Sequence, residues 1–292
     1  MLYNIVMKKI FAGAIAAVGA LSVLAFGGCN APNTGGKTYF YMNTPATLYV
    51  KNMDAQQFGA LANSNVGFDD LADKVDQLLY STENSISGTV TSSSVYKFNA
   101  AAAGTDVEID KTCYDVLTVA KAVYEQTEGA YNPAVWYCED LYGFAPRALS
   151  DPAMLYDRAS TQILPDQKYI DAFKSLASHF GEVTLREDGG KFYAYKPQET
   201  VTVEGDNNEY ALRLDLGGIG KGWVADKISA LMDSYGAKYG YFDFGNSSMA
   251  VKSYYNEKSG EGEEYTLSAR DPRSKNSPFV SFQIKYERLS TS

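Results

Sequence analysis

The chain has 292 residues, 45% of them hydrophobic and 21% charged, with 23 Tyr and 14 Phe. That length and apolar content can bury the core of one large domain or two small ones, and they exclude a globally disordered chain. A formal net charge of -9 and a pI near 4.8 argue against nucleic-acid binding, which needs a basic surface; a local Lys or a metal ion still admits an anionic ligand.

Residues 1–29 read as a secretory segment. Lys8 and Lys9 give the positive start, Ile10 to Phe26 is uncharged and mostly apolar, and Gly27, Gly28 and Cys29 follow. This end is lipobox-like, with Phe26 standing where Leu is usual. Cys29 is therefore the candidate lipidation site, anchoring the protein to the outside of a bacterial cell membrane. An uncleaved membrane anchor is the alternative, and both readings place the rest of the chain outside the cytoplasm. Residues 30–37 read as a polar tether. Of the remaining thiols, Cys113 is expected as a buried helix residue, and a disulfide to Cys138 is left open. Two thiols and one His make no zinc site.

Thr38 to Lys51 alternates aromatic and apolar residues and predicts a strand. Phe68, Leu71, Ala72, Val75, Leu78 and Leu79 recur at helical spacing. Ser81 to Ser94 reads as a loop. A helix spans Cys113 to Gln126, capped by Thr112, with Val116, Leu117, Ala120 and Val123 as its buried stripe and Gly129 as its stop. Tyr169 to Phe180 marks another helix, stopped by Gly181. Glu182 to Glu187 and Lys191 to Lys196 form a hairpin around Asp188-Gly189-Gly190. Val201 to Val203 and Tyr210 to Leu216 read as strands, and a helix follows from Lys221 to Tyr235, stopped by Gly236. Strands then dominate: Tyr239 to Phe244, Met249 to Tyr255, Tyr265 to Ala269 and Phe279 to Tyr286. Clustered hairpins with irregularly placed helices favour an α+β fold with mixed or antiparallel sheets over a doubly wound parallel sheet.

The richest stretch chemically is Leu214 to Asp226, L-D-L-G-G-I-G-K-G-W-V-A-D. Here a strand ends in a carboxylate, and a Gly-rich turn leads to a Lys at a helix start. Glycines allow close backbone approach to a ligand. A helix N-terminus offers free N–H groups and partial positive charge, and Lys221 adds a full one. The set suits a phosphate or pyrophosphate, with Asp215 suited to a hydroxyl, an amine or a hydrated cation. A Walker A loop is excluded, because its positions hold Asp215 and Gly222 where Gly and Ser or Thr are needed; a dinucleotide fingerprint is excluded by Trp223 in place of its third Gly. On composition alone, a purely structural Gly-rich turn accounts for the stretch equally well.

Asp215-Leu-Gly-Gly-Ile-Gly-Lys-Gly222 followed by Asp226 resembles the most specific motif of the ApbE family, the FAD:protein FMN transferases. Further blocks resemble that family in order. Tyr41 to Thr44 is similar to its M-G-T segment, and Ser85-Ile86-Ser87 with Phe98-Asn99 to S-E-I-S-x-L-N. Thr127 to Pro133 is similar to T-x-G-A-F-D-P, Asp140 to Phe144 to L-W-G-F, Tyr241 to Asn246 to N-x-G-G-D, and Ser290-Thr291-Ser292 to S-T-S-G. The resemblance implies an ApbE-like α+β domain over residues 38–292. It also implies transfer of FMN from FAD to a Thr hydroxyl of a flavinylated redox protein, with release of AMP and help from Mg²⁺. Carried over by motif, Met42, Ala130, Tyr131, Asn132, Asp215 and Lys221 would contact FAD, and Gly218 would hold the metal through its carbonyl. Met42 and Asp226 have ordinary structural alternatives. Departures are Glu83, where the family has an aromatic residue and Tyr80 is the nearest substitute, Asn132 in place of Asp, and an altered N-x-G-G-D block. The family's later metal-binding segment would follow Ser292. The resemblance thus implies a catalytic domain incomplete at its C-terminus, inactive as it stands, with its catalytic residues beyond the chain. An FAD-binding lipoprotein without transfer activity and an FAD pyrophosphatase are the alternatives.

Other features read as structural. His179 lies near a helix end that favours a cation, and no G-x-S-x-G accompanies it. Asp69, Asp70, Asp73 and Asp76 form an acidic helix face expected to be solvated. Trp136 and Trp223 are expected in the core, and the many Tyr in sheets.

Overall fold

The computed structural model describes residues 33–53, 66–144, 164–271 and 278–290. The secretory segment and Cys29 lie outside them. None of the helices among the described residues is long and apolar enough to cross a membrane.

Thr38 to Lys51, expected as one strand, is a hairpin of β1 (Asn33–Tyr41) and β2 (Thr44–Met53). Residues 33–37, assigned to the tether by sequence, belong to β1. The turn is Met42-Asn43, with φ of 49° and 54°. Two left-handed residues give the turn whose twist matches that of the flanking strands. Composition hid it, because neither residue is Gly.

β2 pairs with β8 (Tyr239–Phe244), β8 with β9 (Ser248–Val251) and β9 with β14 (Arg288–Ser290), making an antiparallel sheet in the order β1-β2-β8-β9-β14. Alternation along the strands sends Ala46, Leu48, Val50, Phe242, Phe244 and Ala250 into the core. Against this face lie α1 (Val66–Ile86) and α6 (Gly217–Ser234). Gly220 is where they meet: a Cβ there would overlap Ile86 Cδ1. The acidic face of α1 is not simply solvated. Tyr41 donates to Asp76 (2.7 Å), Lys37 pairs with Asp73 (3.2 Å) and Tyr235 donates to Asp70.

A second, three-stranded antiparallel sheet has the order β3-β5-β4, from β3 (Asp106–Ile109), β4 (Thr184–Asp188) and β5 (Lys191–Tyr195). The β4–β5 turn at Gly189-Gly190 has φ of 58° and 79°, as the sequence implies. α3 (Lys111–Gln126) packs on β5 and α1. Its cap is Asp110, whose carboxylate accepts from Cys113 N–H, and not Thr112. Asp110 also accepts from Ser85 and Ser94, each at 2.6 Å. Burial opposes its charge, but these hydrogen bonds outweigh it and hold the carboxyl below its usual range. Cys113 is fully buried in α3, and both it and Cys138 are free thiols.

Ser81 to Ser94, expected as a loop, is one only over residues 87–93. α1 runs on to Ile86, and a short helix, α2 (Ser94–Ala100), begins where the Ser93 side chain accepts from Tyr96 N–H. The end of α2 is gripped by Lys196, which is 1% exposed and donates to the carbonyls of Phe98, Asn99 and Ala101 at 2.8–3.1 Å. α4 (Trp136–Leu141) and α5 (Gln167–Ala177) complete this side. α5 runs into a 3-10 turn that contains Gly181 and ends at Glu182. Tyr210 to Leu216 is strand only in β7 (Glu209–Ala211), which pairs with β6 (Thr200–Thr202). The last strands are β10 (Tyr254–Tyr255), β11 (Gly262–Glu263), β12 (Tyr265–Arg270) and β13 (Pro278–Ile284). The architecture is α+β with antiparallel sheets.

Gly240 sets the β2–β8 approach. Its φ is 129°, and a Cβ there would overlap the carbonyl oxygen of Tyr49. Gly240→Ala is expected to cost ~3 kcal/mol, since backbone strain and overpacking each cost about 1–3 kcal/mol. The midpoint of urea unfolding reads it.

Candidate functional site

Asp215 is placed before its side chain does anything. Asn99 donates its amide hydrogen to Leu214 O (2.9 Å), and its carbonyl accepts from Leu214 N–H (2.8 Å). Asp215 N–H donates to Pro133 O at 2.8 Å. The Asp215 carboxylate accepts from Gly217 N–H at 2.5 Å, satisfying one of the amides a helix start leaves open.

The helix starts earlier than the sequence suggests. Gly217 to Gly220 are not a turn before α6 but its first turn, and Lys221 is the fifth helical residue. Ile219 and Gly220 N–H both donate to Leu216 O. Gly218 N–H has no partner among the described residues, and Gly218 is exposed. Gly218 and Lys221 stand three residues apart, so they share a helix face. Lys221 makes no ion pair among the described residues; its Nζ lies 5.7 Å from the centre of the Phe244 ring. One helix face therefore offers an open N–H, an unpaired ammonium and the positive end of a helix dipole, an arrangement suited to a phosphate.

Of the other predicted residues, Asp215 and Tyr131 lie beside that face, and Met42, Ala130 and Asn132 have local settings of their own. Tyr131 packs beside Gly218, its ring carbon 3.8 Å from where a Cβ would sit. Met42 is half-buried against the core, in a turn whose N–H donates to Glu83 Oε1 at 2.7 Å. Thr44, beside it, fills the space that Gly245 leaves next to Phe244. Glu83 thus braces the Met42 turn, and Tyr80 is exposed. Asp243 of the altered block accepts from Asn246 N–H and shapes the β8–β9 turn. Asn132 is engaged structurally. Its amide donates to Ala177 O (2.8 Å) and accepts from Ala134 N–H (2.9 Å), and a carboxylate could not make the first bond. Ala130 is exposed at the turn after α3. Asp226 pairs with Arg288 at 2.8 Å on the surface, the structural reading.

One site residue escapes the sequence reading. Burial first, then the charge of Asp215, lifts the Glu139 carboxyl on α4 well above the usual carboxylate range. Burial also pushes the Tyr131 hydroxyl up, helped by Asp215 and Glu139. The only signal was a carboxylate in the largely apolar run Pro133 to Leu141, on no recognised motif.

Two other places are separate. A cleft of about 150 Å³, lined by Tyr49, Lys51, Tyr239, Tyr254, Tyr255 and Tyr265 among others, includes no predicted site residue. His179, Glu182 and Glu199 bring ligand atoms within 4.8 Å of one another, but His179 Nδ1 already meets Glu182 Oε1 at 2.7 Å. Trp136 and Trp223 are core residues.

A model of the ApbE family matches residues 42–292. The chain is 27% identical over 205 residues to the FAD:protein FMN transferase of Treponema pallidum (strain Nichols); the match covers 68% of this chain and 50% of that protein. It thus spans about half the length of that curated relative. Among solved structures, the ApbE protein of Thermotoga maritima has a TM-score of 0.62 at 18% identity, over 87% of this chain and 69% of that one. The flavin transferase ApbE of Vibrio cholerae gives 0.58 at 18%, over 88% and 69%. The apo flavinyl transferase ApbE of Pseudomonas stutzeri gives 0.59 at 14%, over 90% and 70%. These structures share the fold.

Two outcomes test the site geometry. Asn132→Asp should destabilise the protein by about 1–3 kcal/mol, because it leaves the Ala177 carbonyl without its donor; thermal unfolding reads it. Glu139 binds a proton more tightly folded than unfolded. Its contribution to stability is present below the ordinary Glu value of about 4.3 and lost as pH rises through the elevated folded value. Glu139→Gln should flatten that decline, seen by comparing unfolding midpoints across pH.

Proposed function

The chain belongs to the ApbE family, and from that premise we propose that it is an FAD:protein FMN transferase acting on an exported acceptor protein. In this reaction a Thr hydroxyl oxygen of the acceptor attacks the phosphorus of the FMN half of FAD. The Thr Oγ–P bond forms, the pyrophosphate P–O–P bond breaks, AMP leaves and the hydroxyl proton is released. The observation that carries the reading is the start of α6, where among the described residues Gly218 N–H is open, Lys221 makes no ion pair, and Asp215 is fixed beside them.

Lys221 would neutralise pyrophosphate charge, and the Gly218 N–H would donate to a phosphate oxygen. Asp215 accepts hydrogen bonds and so would take a ligand hydroxyl or amine. Tyr131 and Met42 would wall the flavin nucleotide. Transfer chemistry of this kind depends mainly on positioning and charge neutralisation, which suits groups fixed in advance by backbone hydrogen bonds. The reading includes Mg²⁺. Gly218 is exposed, and its carbonyl is an oxygen ligand of the class a hard cation prefers; the family motif assigns that carbonyl to the metal. Bound there, Mg²⁺ would supply Lewis-acid polarisation of the pyrophosphate.

Glu83 and Asn132 were the departures that favoured a non-transferring FAD carrier. Both have local hydrogen-bonding roles, so neither supports that alternative. The proposed location is extracytoplasmic, with Cys29 as the lipid anchor; its support is the pattern of Lys8 to Cys29. The acceptor would be a redox protein of the same compartment.

Titration of the protein with FAD and Mg²⁺, followed by flavin fluorescence, should saturate. Lys221→Ala should weaken binding about 10- to 100-fold, or ~1.4–2.7 kcal/mol. With a Thr-containing acceptor domain present, mass spectrometry should show FMN on the acceptor. Free FMN with AMP would instead identify a pyrophosphatase, and absence of any fluorescence change would overturn the reading.

A further inference from the structure

β2 and β8 send Leu48, Val50, Phe242 and Phe244 into the core, so alternation turns Tyr49, Lys51, Tyr239 and Tyr241 to the opposite face of the sheet. On that face, five tyrosines from four strands line the cleft of about 150 Å³: Tyr49 of β2, Tyr239 of β8, Tyr254 and Tyr255 of β10, and Tyr265 of β12. The cleft lies where Lys51 pairs with Tyr239. Phe244, whose ring the Lys221 ammonium approaches, pairs with Ala46 at the other end of the same ladder. This is therefore a second place, apart from the start of α6.

The rings are fixed against one another. Tyr239 and Tyr255 meet edge to face at 4.9 Å between centres, Tyr254 and Tyr265 at 5.6 Å, and Tyr265 meets Tyr241 at 5.8 Å. The hydroxyls, in contrast, are left over. None of the five lining hydroxyls makes a hydrogen bond among the described residues, and the fully buried unpartnered oxygens lie elsewhere, so these hydroxyls reach solvent. Other tyrosines of the fold use theirs: Tyr39 donates to Ala72 O, Tyr41 to Asp76 and Tyr210 to Asp206.

The lining also carries no net charge, because its one cation and its one anion pair. Lys51 donates to Glu257 at 2.5 Å, and its Nζ lies 4.9 Å from the centre of the Tyr255 ring. The cation–π position is thus filled from within, which leaves a neutral ligand. A cavity of about 150 Å³ admits one six-membered ring such as benzene; the three fused rings of a flavin exceed it. Benzene would leave the hydroxyls unanswered. A sugar ring answers both features. The C–H bonds on one of its faces are slightly positive and pack on the negative faces of aromatic rings, and its hydroxyls donate and accept as the tyrosine hydroxyls do.

We propose that the tyrosine cleft on the outer face of the main sheet is a saccharide-binding site that takes one pyranose ring by stacking and hydrogen bonding. It stands independently of the transferase reading.

The test uses the whole chain with glucose, galactose, mannose and N-acetylglucosamine as probes, each as the monosaccharide and as a β-linked disaccharide. Saturation-transfer NMR should show the ring C–H protons of at least one probe in contact with the protein, with a dissociation constant on the order of 1 mM, as befits so small a ligand. A disaccharide that binds about tenfold tighter would assign the site to a glycan chain end, and equal affinity to a free sugar. Tyr254 is 48% exposed, so its variants should fold, which thermal unfolding checks. Tyr254→Ala should weaken sugar binding about tenfold, and Tyr254→Phe, which keeps the ring, about threefold. FAD binding, read by flavin fluorescence, should be the same in both variants as in the wild type. Absence of a saturable signal from every probe would overturn the inference, as would wild-type sugar affinity in Tyr254→Ala. Displacement of the sugar by FAD would overturn it too, since the cleft would then belong to the flavin site. Failure of FAD to bind at all would remove the proposed function and leave this inference standing.

Discussion

The backbone of Leu214 and Asp215 is held from two sides, and the site follows from that grip. Asn99 pairs with both backbone groups of Leu214 as a neighbouring strand would, although no strand runs there. Pro133 takes the next N–H. Asn99 is itself fixed because Lys196 binds the carbonyls around it. A buried ammonium thus locates a short helix, the helix locates an amide, and the amide locates the carboxylate that faces the start of α6. Lys196 is pushed down to about 8 by its burial, with Arg213 adding to the effect. Three carbonyl acceptors repay part of that cost, since each needs one of the ammonium hydrogens.

The order of this chain explains which motif residues carry chemistry and which carry structure. Ser85 and Asn99 belong to the same sequence block, yet neither sits where a ligand would bind. Ser85 ties α1 to the Asp110 cap, and Asn99 ties α2 to Asp215. Glu83 supports the Met42 turn through its N–H. Among the described residues, the buried side-chain atoms without a hydrogen-bond partner are Tyr131 Oη and Glu139 Oε2. Tyr131 lies beside Gly218 at the start of α6. A site in a folded protein is often recognisable this way, as the place where the hydrogen-bonding account does not close.

Much of the fold was legible in the sequence because its long helices and its β4–β5 and β8 strands have clear periodicity. Residues 66–86 and 111–126 bury one stripe each, and Gly189-Gly190 supplies left-handed backbone. Legibility failed where tertiary contacts override local preference. Ser93 and Ser94 look like loop residues but cap and start a helix that Lys196 and Asp110 stabilise. Gly217, Gly218 and Gly220 have poor helix propensity, yet they form a first turn, because Ile86 requires a missing Cβ at Gly220 and Leu216 O captures the N–H groups. The positive φ at Met42 and Asn43 is imposed by the hairpin and by Glu83. Within the site, motif positions were readable, but Glu139 was not: its raised carboxyl value depends on burial and on the charge of Asp215, 76 positions away, which no local pattern encodes.

Asn132 shows a further effect of its neighbours. Its amide must persist, because only an amide both donates to Ala177 and accepts from Ala134. Asparagine slowly loses ammonia when the next backbone nitrogen attacks its side-chain carbonyl, forming a cyclic imide. The next residue here is Pro133, whose nitrogen carries no hydrogen, so that ring cannot close in the ordinary way. The alternative ring, in which the amide nitrogen attacks its own main-chain carbonyl, would have to pull that nitrogen away from Ala177. Asn132 is thereby protected from deamidation, a change of one mass unit that would remove the donor to the Ala177 carbonyl.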